Sequence, residues 1–227
     1  MIRRRTFLTS AGLALVALAL GSCGYRREDF RYRMTVEVET PQGLRSGSSV
    51  IEVKLSNPGR GPYVLPQAGT TAKVRGEAVT VDLPGGKVLF ALLSKPGFHD
   101  GAVQFPFDGL KPKPYHGEYA PIRQAEELKG IRGIGELPKE AFPMLVTFDD
   151  LSDPATAREV DPDDLAASFG EGVKLRRITV EMTSESVTTG IEKRLRWLTN
   201  QEIMTNPGWA KLPYEARLAI IGLRKNW

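Results

Sequence analysis

The chain has a single cysteine and two histidines in 227 residues. One thiol cannot close an intramolecular disulfide, so the fold must rest on its core even in an oxidising compartment. No C-x-x-C, H-E-x-x-H, P-loop or G-x-S-x-G pattern occurs. Nucleophilic catalysis usually needs a base such as histidine beside the nucleophile, and only His99 and His116 could supply one. Both sit in a stretch rich in proline and glycine, where a surface position is the plainer reading. Loop histidines so far apart, even with Asp100 or Glu118, make a weak metal set, and no metal or other cofactor is expected. Long apolar runs are also missing. The longest, Ala11 to Leu20, is too short to cross about 30 Å of hydrocarbon as a stable helix.

That run explains itself as part of an export signal. Arg3, Arg4 and Arg5 precede it and form a charged n-region, so a cleaved signal fits better than a membrane span. Leu20-Gly21-Ser22-Cys23 has the lipobox form, with small residues for the peptidase and a thiol that can be acylated. A sole cysteine directly after an apolar run is hard to obtain by chance, which assigns Cys23 as the lipidation site and first mature residue. Arg4-Arg5-Thr6-Phe7-Leu8 shares part of the twin-arginine pattern. Arg3 and Thr9 depart from it, and both that route and Sec stay open. The chain thus divides into a signal peptide at 1–22, a tether at 23–30 and an envelope domain at 31–227. Gly24 is not the aspartate that retains lipoproteins at the inner membrane of enteric bacteria, which favours the outer membrane.

Residues 1–22 hold three arginines and no acid, so the formal charge of +4 falls to +1 in the mature chain. The basic character belongs to the signal, and nucleic acid loses its compositional support as a partner.

Along the mature chain, Tyr32, Met34, Val36 and Val38 alternate with polar residues, and so do Ile51, Val53 and Leu55. In strands this period places the two sets on opposite faces, one of them wet. Pro41-Gln42-Gly43 can turn the chain between them, and residues 56–70 read as a loop. Ala78–Leu83 and Lys87–Leu93 read as a hairpin through Pro84-Gly85-Gly86. Its second strand is apolar throughout and so should be central and covered on both faces. Residues 143–148 and 176–183 read as further strands. Helices are expected at 121–130, at 163–169 under an Asp161 cap, and at 213–224 with Tyr214, Leu218 and Ile221 inward. The fold expected is a β-rich α+β domain, a mainly antiparallel sheet or sandwich of about six strands with a few short helices and a C-terminal helix. An alternative divides it into two subdomains near 95–120.

Lys95 to Tyr119, with its prolines and glycines, reads as a long irregular excursion. Such segments are more often functional than filler, so Phe98, Phe105, Phe107 and Tyr115 are candidate partner-binding residues, with burial in the core as the competing reading. Asp149 to Asp164 is the densest acidic stretch. It suits calcium or a glycosidase pair only loosely, since capping explains Asp153 and Asp161 and no EF-hand spacing is present. The basic residues around Trp197 could meet headgroups or form a solvated helix end.

The stretches TVEVETPQGLRSGSSVIEV, EAVTVDLPGGKVLFALL, FPMLVTFDDLSDPATAREVDPDDLAASFGEGVKLRRITVEMT and TTGIEKRLRWL resemble those of an uncharacterised group of exported proteobacterial proteins and lipoproteins. The resemblance implies an envelope location and carries no activity or ligand. The function expected is that of a membrane-anchored, noncatalytic envelope lipoprotein that faces the periplasm and binds or braces a protein or cell-wall partner. A carboxylate-dependent hydrolase acting on envelope glycans is the alternative.

Overall fold

The computed structural model describes residues 25–59, 69–96, 101–199 and 209–225. Arg4, Arg5, Cys23, Phe98, His99 and most of the loop expected at 56–70 lie outside them.

Alternation in the sequence becomes two stacked antiparallel sheets. β1 (Arg26–Thr40) and β2 (Gly43–Asn57) pair along their whole length, from Arg26 opposite Asn57 to Thr40 opposite Gly43. At about 3.4 Å per residue this ribbon is roughly 50 Å long. Its turn is held by Thr40, whose hydroxyl donates to the Gly43 carbonyl and accepts from the Gln42 amide. Gly43 sits at φ +104°, where a side chain is strained. Residues 26–30, expected within the tether, belong to β1 because Phe30 on that stretch is buried in the core.

The six-stranded sheet is completed by β3 (Thr71–Glu77), β6 (Ile134–Glu136), β9 (Lys174–Met182) and β10 (Arg224–Lys225), in the order β10-β3-β2-β1-β9-β6. A second sheet runs β4 (Val79–Asp82), β5 (Val88–Ala91), β7 (Leu145–Phe148) and β8 (Ala157–Glu159). The described residues therefore hold ten strands rather than about six. Both sheets draw strands from either side of residues 95–120, so a division there would cut each of them.

The inner face of β1 and β2 (Tyr32, Met34, Val36, Ile51, Val53) packs on Val79, Val81, Leu89 and Leu93 of the second layer. The sheets approach closely at Gly47, where an added Cβ would lie 1.9 Å from the Thr80 carbonyl oxygen. Phe90, Leu92, Val146 and Phe148 belong to a second cluster with Ile191, Leu195 and Leu198 and the C-terminal helix α4 (Tyr214–Leu223). β5 is thus interior to its sheet and buried on both faces, as its unbroken apolar run requires.

Among the described residues three α-helices precede α4. The first, α1 (Gly101–Leu110), corrects the expectation of an irregular excursion from Lys95 to Tyr119. Pro106 lies inside it and has no N–H to give the Ala102 carbonyl four residues back. Tyr32, fully buried on β1, donates its hydroxyl to that carbonyl at 2.7 Å. Burial holds the Tyr32 phenol well above its ordinary pKa, so it stays a donor. The tertiary contact thus supplies what the helix lacks. Residues 111–117 remain irregular and lead into α2 (Ala120–Gly130).

α3 (Leu165–Phe169) is shorter than expected, and its cap is Asp164, which accepts from the Ala167 amide. Asp161 instead accepts from the Asp163 amide in the preceding turn. α4 buries Ala216, Ala219, Ile220 and Leu223 rather than the Tyr214 face, and Tyr214 is 62% exposed. The reason is close approach: an added Cβ on Gly222 would lie 2.9 Å from the Leu92 Cβ.

Candidate functional site on the outer face of the six-stranded sheet

The residues singled out from the sequence separate in space. Phe105 is fully buried, so it packs the core and cannot meet a partner. Phe107 is partly buried, with its ring edge on Phe30 at 6.0 Å between centroids. Tyr115 stands at the surface, where its hydroxyl donates to Glu127 at 2.7 Å and Lys113 and Arg123 lie over its ring. That bond favours the neutral phenol and raises its pKa. The candidate binding loop therefore contributes two core-facing phenylalanines and one surface tyrosine among its described members.

The acidic stretch is taken up by local structure. Asp150 accepts from the Ser152 amide and hydroxyl at 2.8 and 2.7 Å, which lowers its pKa. Asp153 accepts from the Ala155 amide, Asp149 pairs with Arg158, and Asp163 pairs with Lys139. Among the described residues no three His, Cys, Asp or Glu side chains gather as a possible metal site. Around Trp197, the indole N–H donates to the Leu151 carbonyl at 2.9 Å and the ring packs on Phe148. Arg194 grips Asp82 through both carboxylate oxygens, at 2.6 and 2.7 Å. This segment is a structural latch, and Glu77 secures it by accepting from the Ile191 amide at 2.9 Å. Glu77 is buried, and desolvation raises its pKa although the backbone donors oppose the rise.

The wet face of β1 carries the most organised chemistry. Side chains at 31, 33, 35 and 37 point away from the core, opposite Glu52, Val50, Ser48 and Ser46 of β2. Arg31 reaches Glu52 at 2.8 and 3.0 Å. Arg177 of β9 forks onto Glu37 at 2.8 and 2.9 Å, and this pairing lowers the Glu37 pKa and raises that of Arg177. Such bidentate pairs are geometrically specific, although exposed ones stabilise little.

A strap of residues 183–188 then crosses this face. The Thr183 amide continues the ladder to the Arg31 carbonyl, Glu185 pairs with Arg33, and Thr188 bonds both backbone groups of Val50. Val50, an apolar residue on the wet side, is buried under it. The strap separates two clefts. One, of about 820 Å³, is bordered by the charged Asp29, Arg31, Glu52, Lys129 and Arg132 and by the apolar Phe30 and Met182. The other, of about 420 Å³, lies among Arg33, Thr35, Ser46, Ser48, Glu181 and Glu185.

Sequence alternation announced the wet face but not these pairs. Glu52 meets Arg31 through sheet register, and Glu185 meets Arg33 through the strap that follows β9. Among the described residues no helix is long and apolar enough to cross a membrane. No protein-family model, curated protein or solved structure matches the chain.

Proposed function

We propose that the chain is an envelope lipoprotein, anchored by a lipid on Cys23 and facing the periplasm. Its domain serves as a noncatalytic module that binds a protein or cell-wall partner. The observation that carries the anchoring is the Leu20-Gly21-Ser22-Cys23 lipobox behind a charged, ten-residue apolar signal. The binding surface is the outer face of the six-stranded sheet. The strapped face offers fixed donors and acceptors of both signs in two clefts, with Phe30 and Met182 beside them in the larger one, which suits a partner that brings polar groups together with a smaller apolar part.

A photocrosslinking residue at Thr35, inside the smaller cleft, tests this against one at Glu215 on the exposed side of α4. In intact cells Thr35 should yield a discrete crosslinked species and Glu215 none. Equal patterns at the two positions, or no adduct at Thr35, would contradict a binding role for this face.

A further inference from the structure

Only Gly24 and Tyr25 stand between Cys23 and the first strand residue, Arg26. An extended chain gains at most about 3.6 Å per residue, so a lipid on Cys23 holds Arg26 within roughly 11 Å of the headgroups. Physiological screening acts over a comparable distance, about 8 Å. Whatever surrounds the start of β1 therefore works beside the bilayer.

Three clusters of tyrosine and cation lie there. The Arg27 guanidinium stands 5.9 Å from the Tyr25 ring, and that of Arg26 5.1 Å from Tyr119. Lys113 and Arg123 both approach the Tyr115 ring, at 5.8 and 5.9 Å. The groups share one end of the fold because Arg26 pairs with Asn57, whose side chain donates to the Glu118 carbonyl, and Tyr119 opens the first turn of α2. Arg26, Arg27, Lys113 and Arg123 are all exposed. The nearby acids are partly engaged: Glu28 pairs with Lys129, and Glu127 accepts from Tyr115. Asp29, Glu118 and Glu126 add further negative charge nearby, so the cations do not act alone. Tyrosine is enriched at membrane interfaces, arginine can extend its charge to the headgroups, and each cation near an anionic surface contributes about 1 kcal/mol.

We propose that this end of the β1–β2 ribbon is a collar that docks on anionic phospholipid headgroups. The inference rests on acylation at Cys23. Docking there stands the ribbon on the membrane, with the Pro41-Gln42 turn at its far end.

The test uses the full lipoprotein, whose only cysteine is blocked by the lipid. A fluorophore is placed through His116→Cys beside the collar or through Gln42→Cys at the distal turn, and headgroup-located quenchers are added to phosphatidylglycerol or phosphatidylcholine vesicles. Quenching at 116 should exceed that at 42 and depend on phosphatidylglycerol. Arg26→Gln with Arg27→Gln should lower the docked-to-undocked ratio by about fivefold per residue, with the melting temperature unchanged. Equal quenching at both positions, or no effect of the double substitution in protein that still floats with vesicles, would overturn the collar. Protein that floats with neither vesicle and carries a free thiol at Cys23 would overturn the collar together with the anchoring on which it rests; protein that floats yet fails the quenching comparison overturns the collar alone.

Discussion

Tyr32 and Pro106 show how a residue distant in sequence decides local structure. Pro106 leaves the Ala102 carbonyl without its helical donor, and the buried Tyr32 hydroxyl fills that place at 2.7 Å. Tyr32→Phe should therefore cost about 1–3 kcal/mol, the penalty for an unsatisfied buried polar group. In a Pro106→Ala background the restored N–H can bond Ala102 itself, and the same substitution should cost less. Urea denaturation of the four proteins in this cycle reads the coupling. Strict additivity would show that the hydroxyl does not replace the missing donor.

At the scale of elements, α1 belongs to the core and not to a binding loop. Phe105→Ala should destabilise the domain by about 3–5 kcal/mol in urea or thermal unfolding. A melting temperature close to wild type would return Phe105 to the surface. The strands were legible in the sequence because β1, β2 and β9 alternate over many residues and β5 is uniformly apolar between glycine- and proline-bearing turns. β6, β8 and β10, of two or three residues each, are too short to show a period and exist through their partners. α1 was hidden by Pro106 and its glycines, whose cost to a helix is met by a tertiary contact invisible locally. α4 misled for a different reason. Tyr214 and Ile221 outweigh Ala216 and Ala219 in hydrophobicity, yet the helix sits so close to Leu92 and Ser94 that Ala216, Ala219 and Gly222 join Ile220 and Leu223 on its contact face, with Leu218 at its edge. The candidate site was half legible: alternation gave the wet face, while the Arg31–Glu52 and Arg33–Glu185 pairs depend on register and on the strap.

For the whole molecule, the short spacing between Cys23 and β1 joins address and architecture. Residues 26–30, expected within the tether, lie in the sheet, and only Gly24 and Tyr25 separate Cys23 from β1 in the sequence. On the proposed acylation of Cys23, one end of the domain would be held near the bilayer, with the charged face of the larger sheet open to a partner. All of this depends on acylation of Cys23. Labelled palmitate added to cells producing the protein measures it directly, with the mass of the purified mature chain as the readout of cleavage before Cys23. The account predicts a labelled, membrane-bound protein beginning at Cys23, and complete loss of label in Cys23→Ser. An unlabelled, soluble wild-type protein with a free Cys23 thiol would contradict it.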